Sequence, residues 1–319
     1  MVSVRHVLAT AILLFLSVSL ASAATYYVDI RNPACSDSGA GTTSQPWCTL
    51  SKASTVVSPG DTVNVREGRY PQEFDFTRSG TASAPVRYRA TGNVVVGSFD
   101  DVRDEAFQPT AGTANVYEMP RSQAPHYNDI TYQTYFPPFI VDDDNPGNPS
   151  NFTVMQSDGP LMMAKVQNLA DVGAVEGSWY VGSNKLYVHP YGNRVPSSAA
   201  TDIVLSVNSW SHDVHASYNE FDGFTFGYNA ENEMQNLGDH NRFTNIAGLL
   251  GTSGSNNYFE NITSANRFFR QAEGNYSFFN RGSGWGFSVF GDNITVKNAS
   301  VFHNFDNFLP FFRDVEREH

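Results

Sequence analysis

The stretch "NNYFENITSANRFF", residues 256–269, contains an Asn-Ile-Thr sequon, and its meaning turns on where Asn261 points. A short pattern, with an apolar residue two places before an Asn, recurs along the chain. "NRFTN" ends at Asn245, "NYFEN" at Asn261, "YSFFN" at Asn280 and "ITVKN" at Asn298, while "NEFDG" puts Gly223 in the Asn place. The steps are 22, 16, 19 and 18 residues, a period suited to one turn of a coil of short strands. Residues i and i+2 share a strand face, so each Asn shares one with Phe243, Phe259, Phe278 or Val296. If those apolar groups face the core, the amides face it too. A buried amide without partners costs about 1–3 kcal/mol, and stacking Asn on Asn satisfies donors and acceptors along a ladder. The pattern therefore predicts an internal ladder of Asn245, Asn261, Asn280 and Asn298, with the sequons at Asn261 and Asn298 accidental.

Earlier segments carry the same alternation. "GDTVNVREGRY" sets Val63 and Val65 on one face, "APVRYRATGNVVV" sets Val86, Tyr88 and Ala90 inward, and "TDIVLSVNS" does so with Ile203, Leu205 and Val207. Between them Leu50, Ala53, Val56 and Val57 fall at helical spacing, with Pro59-Gly60 as the stop. A helix there would cover an open strand end, which otherwise invites aggregation. Aromatic residues make up 13% of the chain, and 16 of its 24 Phe lie between Phe221 and Phe312, so a repetitive core is expected in that half.

The first residues, Arg5 and His6 followed by "VLATAILLFLSVSLA" and Ala21-Ser22-Ala23, match an export signal cut after Ala23. The apolar run is shorter than the roughly 20 residues of a bilayer span. A formal net charge of −12 disfavours nucleic acid, because phosphate binding needs clustered basic residues. Any anionic glycan would need local Arg or Lys, or a bridging cation. The two cysteines, Cys35 and Cys48, are expected to form a disulfide in an oxidising compartment. A zinc site would need more ligands nearby.

"YYVD" (26–29), "GAGTTSQPWCTL", "PGDTVNVREGRY", "SGTASAPVRYRA" and "NVVVGS" resemble the N-terminal rungs of pectate-lyase-like right-handed parallel β-helix proteins. "GSWYVGSNKLYVHPYGNRVP" (177–196) resembles a β-hairpin insertion of exported members. The resemblance implies an all-β fold, a right-handed parallel β-helix (solenoid) with an N-terminal capping helix and a β-hairpin/loop insertion. The expected layout is 1–23 signal peptide, 24–97 cap and first rungs, 98–200 irregular insertion, and 201–319 rungs with the Asn ladder. The tail "FLPFFRDVEREH" is read as a short cap or, preferably, as the mark of a fragment of a longer coil. The protein is expected to be secreted, extracellular or periplasmic, and monomeric, with a polysaccharide partner and no membrane contact after signal cleavage.

Signatures of serine hydrolases, zinc proteases and phosphate-binding loops are missing from the chain. The resemblance leaves two reactions. A lyase abstracts the proton alpha to a uronate carboxyl and needs a base and a cation; it places the groove along the sheet reached after the ladder turn and its following strand. Arg267 and Arg270 are then the candidates for base or carboxylate binding, with His303 as proton relay. A hydrolase needs two carboxylates about 5–9.5 Å apart, for which Asp239, Glu231, Glu233 and Glu273 are available. The polygalacturonase-like Asn-Thr-Asp, Asp-Asp and Gly-His-Gly signatures do not occur. His240 beside Asp239 is either a catalytic pair or loop polarity. Trp179, Tyr180, Tyr187 and Tyr191 are candidates for sugar stacking, or else pack the hairpin. Asp142, Asp143 and Asp144 are a candidate Ca2+ site, or a solvated turn. His212 and His215, three apart on a strand, are expected to face opposite ways and to form no metal pair. Lys297, between inward Val296 and Asn298, is expected to point out, away from the groove. A non-catalytic glycan-binding or adhesion module and an inactive truncated product are the remaining alternatives.

Overall fold

A computed structural model describes residues 23–71, 75–97, 99–101, 107–123, 152–156, 161–196, 203–207, 212–226, 234–248, 250–265, 287–302 and 315–316. Short apolar alternations broken by Gly, Asn and Asp leave little room for helices, and the chain is mostly β. Eight parallel strands form the larger sheet, in the order β1 (Thr25–Val28), β2 (Thr62–Pro71), β4 (Val86–Gly97), β15 (Asn219–Phe226), β17 (Arg242–Ala247), β19 (Tyr258–Ala265), β21 (Ile294–Phe302) and β22 (Val315–Glu316). A second parallel sheet runs β3 (Asp75–Phe76), β14 (His212–Val214), β16 (Met234–Asn236), β18 (Leu250–Thr252) and β20 (Phe287–Val289). From β14 to β21 the chain lays successive strands alternately in the two sheets.

Between them sits one apolar core. Val63, Val65, Val86, Tyr88, Phe221, Phe243 and Phe259 are all buried in it, and Ala90 packs against it from a partly buried position. Aromatic residues paired in register at the strand spacing of about 4.8 Å stack their rings. Tyr88–Phe221, Phe221–Phe243 and Phe243–Phe259 lie 5.0, 5.1 and 4.9 Å apart, within 7° of parallel. Such pairs add about 0.5–1.5 kcal/mol each beyond their burial. Helix α1 (Leu50–Val56) is opened by Thr49, whose hydroxyl accepts from the Lys52 amide, and buries Leu50 and Ala53 against this core beside β1 and β3. Cys35 and Cys48 are joined by a disulfide in the loop before α1.

The parity argument fails at the ladder. Asn245, Asn261 and Asn298 are exposed and have φ of 56°, 56° and 50°. A left-handed residue is a corner rather than a strand step, so it breaks the two-residue period; Ile246 and Ile262, one place later, are the buried ones. A ladder exists, but on the outside. The Asn298 side-chain amide donates to Asn261 Oδ1 (3.2 Å), Asn261 to Asn245 Oδ1 (3.0 Å), and Asn245 to Asp222 Oδ1 (2.7 Å). Asn298 follows Asn261 directly because β19 pairs with β21. Asn280 itself lies outside the described residues. The sequon nitrogens of Asn261 and Asn298 are donating within this ladder, which is the physical reason to read the sequons as structural.

The internal ladder lies four residues earlier. Asn219, Asn241 and Asn257 are buried one above another at the start of β15, just before β17 and just before β19. Asn257 Oδ1 accepts from the Asn241 backbone N–H (2.7 Å), and Asn241 Oδ1 from that of Asn219 (2.8 Å). The Asn241 side-chain amide donates to Ala216 O and Asn236 Oδ1, and that of Asn257 to Gly238 O. The corner before this column is crowded backbone on backbone. A Cβ on Gly238 would meet Ala216 O at 1.9 Å, and one on Gly254 would meet Gly238 O at 2.0 Å.

Residues between the two parallel-sheet segments build two further sheets. One is β10 (Ala164–Lys165), β11 (Ser178–Val181), β12 (Lys185–His189), β7 (Tyr117–Pro120) and β6 (Gln108–Pro109), in which β11 and β12 form the expected antiparallel hairpin. Helix α2 (Leu169–Ala174) packs on it, capped by Asn168. The other is antiparallel, β5 (Phe99–Asp101), β13 (Ile203–Val207), β8 (Phe152–Gln156) and β9 (Leu161–Met162). The alternation in 203–207 thus serves an antiparallel strand rather than a parallel rung, and Ile203 is buried with Met119 and Trp179.

Candidate functional site

The outward face of the five-stranded sheet carries the densest chemistry among the described residues. Register places Asp75, Asp213, Gln235, Gly251 and Ser288 in one row across β3, β14, β16, β18 and β20. Gly251 lacks a side chain, so this row dips in the middle. The position after each strand adds His215, Leu237, Ser253 and Phe290, and Leu237 and Phe290 are exposed at 36% and 52%. Five strands at about 4.8 Å make a trough on the order of 20 Å long, flanked by exposed apolar groups that suit sugar ring faces.

Asp75, Asp213 and His215 form a polar cluster on it. A ligand atom from each lies within 4.8 Å of the others, and His215 Nε2 sits 3.9 Å from Asp213 Oδ2. Asp213 and His215 are two apart and share a face, while Asp75 is the cross-strand partner of Asp213. Two carboxylates with an imidazole suit a borderline divalent ion such as Zn2+ or Mn2+; Ca2+ takes six to eight oxygens and would need further donors. The sequence reading compared His212 with His215 and so overlooked Asp213, the residue that shares the face. The i, i+2 carboxylate was the available signal, and Asp75 was hidden because it arrives through strand pairing across 138 residues.

The expected site residues scatter. Arg267, Arg270, His303, Glu231, Glu233, Glu273, and Asp142, Asp143 and Asp144 lie outside the described residues. Asp239 and His240 are exposed, and each side chain is engaged with a different neighbour. Asp239 Oδ1 accepts the Ser255 backbone N–H (2.6 Å), locking one corner to the next, and the His240 ring stacks on Tyr218 at 4.7 Å. Trp179 is fully buried, with its indole N–H donating to Met163 O, because an inward hairpin position must fill its own core; it presents no face to a sugar. Tyr180 and Tyr187 stack on each other at 6.1 Å and pack against Val116, Val166 and Val172. Tyr191 packs beside Trp179. Lys297 is half-buried on β21, on the outward side of the other sheet, opposite Glu260.

No protein-family model matches this sequence. A 67-residue stretch, 20% of the chain, is 39% identical to part of the uncharacterized protein YwoF of Bacillus subtilis (strain 168) and spans 14% of that protein. Similar solved structures include XylC in complex with xylose (14% identity, TM-score 0.47, 86% of this chain and 54% of that one) and the pectate lyase Pel9A (14%, 0.42, 86% and 47%). A rhamnogalacturonan lyase is similar at 16% identity and TM-score 0.40, over 89% of this chain and 52% of that one. The chain spans about half the length of these structures.

Proposed function

We propose that this chain is an exported right-handed parallel β-helix protein of the pectate-lyase-like kind, cleaving a uronic-acid-containing polysaccharide by elimination. In this reading the two parallel sheets are successive walls of one coil, residues 24–97 and 201–319 build it, and 98–200 together with β13 are inserted into it. The stacked ring column and the alternation of strands between sheets support the coil. The disulfide supports an oxidising compartment, and among the described residues no helix is long and apolar enough to cross a membrane.

One observation carries the functional reading: the trough on the five-stranded sheet, with Asp75, Asp213 and His215 on its floor. A cation held there would neutralise a uronate carboxyl and acidify the adjacent proton. Arg267 or Arg270, in the segment joining β19 to β20, takes that proton; its electron pair becomes the new C=C bond and the glycosidic C–O bond breaks. His303 supplies the proton to the leaving oxygen. A second reading, hydrolysis, is favoured by the spacing of Asp75 and Asp213, at most 4.8 Å, close to the about 5–5.5 Å of retaining carboxylate pairs.

The test is to incubate the purified protein with uronic and neutral polysaccharides, with and without a chelator. Ultraviolet-absorbing unsaturated ends are expected from the uronic polymers alone, with Asp213→Asn lowering their release about tenfold or more. New reducing ends without absorbance would establish hydrolysis, and retention of polymer without product would leave a binding module.

A further inference from the structure

A different cleft lies on the outward face of the eight-stranded sheet, across β4, β15 and β17, and encloses about 160 Å3. Register sets two rows side by side there: Arg87, Glu220 and Arg242, and next to it Arg89, Asp222 and Thr244. Almost every charge is already engaged. Arg87 Nε donates to Glu220 Oε2 (2.9 Å). Asp222 Oδ1 accepts from the Thr244 hydroxyl (2.9 Å) and the Asn245 amide (2.7 Å). Arg242 donates to Glu260 Oε2 (2.9 Å) and lies over the Tyr258 ring at 4.2 Å. Arg89 is exposed, and its side chain has no hydrogen bond or ion pair among the described residues. Arg87 is thus paired with Glu220 and Arg242 with Glu260, which leaves Arg89 as the guanidinium of the cleft lining whose side chain is still open to a ligand.

We propose that this cleft binds a single carboxylate-bearing sugar unit, with the Arg89 guanidinium taking the carboxylate. A planar fork of donors matches a carboxylate two bonds at a time. Asp222, in the same lining, offers an acceptor for sugar hydroxyls. Its volume lies below the roughly 300 Å3 at which pockets for larger ligands begin, so it is sized for one ring of a chain. The polymer chemistry follows the reading above, but the cleft is on another face and stands or falls separately.

Calorimetric titration with trigalacturonic acid is made on the full chain carrying Asp213→Asn, which removes the contribution of the trough, and on the same protein with Arg89→Ala or Arg89→Lys added. Arg89→Ala is expected to weaken binding about tenfold or more, with Arg89→Lys in between and the thermal midpoint unmoved, since the Arg89 side chain has no partner to lose. The carboxyl-reduced trisaccharide is expected to lack the Arg89-dependent component. Equal binding by Arg89→Ala, equal binding of the reduced sugar, equal competition by sulfate, or no binding at all would overturn the proposal. Arg89-dependent binding in a protein that forms no product from any uronic polymer would instead keep the cleft and remove the elimination reading.

Discussion

Two columns of asparagine run along this molecule four residues apart, and they do opposite things. Asn241 and Asn257 are 1% exposed, while Asn245 and Asn261 stand in solvent on the same strands. Both columns hydrogen-bond from rung to rung at similar lengths, 2.7 Å inside and 3.0 Å outside. The inner amide serves backbone groups that have no water to turn to. The outer one serves a left-handed corner, where its short side chain tolerates a positive φ that most residues resist. Hydrogen-bond geometry alone therefore does not rank them; burial and φ do.

The sharpest way to break the comparison is Asn241→Ala. It orphans the Asn219 N–H, Ala216 O and Asn236 Oδ1 at once, each at about 1–3 kcal/mol. Denaturant unfolding should show a loss of about 3 kcal/mol or more, and a loss below 1 kcal/mol would mean that water reaches the column. Next in size is Gly254→Ala. Its Cβ would meet Gly238 O at 2.0 Å, forcing apart the rungs whose spacing lets Asn241 reach Asn257. Overpacking of this kind costs about 1–3 kcal/mol, and a thermal midpoint unchanged from the parent would show that the corner is looser than drawn.

A pH series separates the core beneath both columns from its surface. Burial raises the Tyr88 phenol above its usual value of 10, with nearby Asp61 adding to the rise. The folded state thus disfavours the phenolate more than the unfolded state does. Stability tied to Tyr88 is complete below pH 10 and declines as pH rises beyond it. Tyr88→Phe should flatten that alkaline decline, and an identical decline in the variant would assign it to other groups.

How much of this could be read from residues alone depends on where strand parity holds. Val63, Val65, Val86, Tyr88, Phe243 and Phe259 lie where alternation put them, and α1 lies where its helical spacing put it. Parity also pointed to the inner ladder, had it been followed two places before each Phe instead of two places after, since Asn219, Asn241 and Asn257 precede Phe221, Phe243 and Phe259. The run Gly-x-x-Asn at 238–241 and 254–257, with Gly291 to Ile294 next, repeats at 16 and 37 residues and stands at the entry to β17, β19 and β21. "YSFFN" shares the composition of the pattern, but it lies outside the described residues, and neighbours in the sheet are set by strand pairing, as β19 with β21. The candidate site was less legible. Asp213 and His215 were visible as neighbours, but Asp75 joins them only through pairing of β3 with β14, which no local pattern encodes.

The smallest expected effect is the most discriminating. At Asn261 the side chain gives one exposed hydrogen bond to Asn245 and accepts one from Asn298, both replaceable by water. What water cannot replace is tolerance of φ 56°, a conformation that costs roughly 1–2 kcal/mol for an ordinary residue. Asn261→Ala should therefore lose about 1 kcal/mol, whereas Asn261→Gly, free at positive φ, should change stability by about 0.5 kcal/mol or less. Gly223 already occupies the equivalent corner two strands away with φ 82°, which shows that the position accepts glycine. Equal losses for Ala and Gly would place the stabilisation in the exposed hydrogen bonds, and the two columns would then differ in degree only.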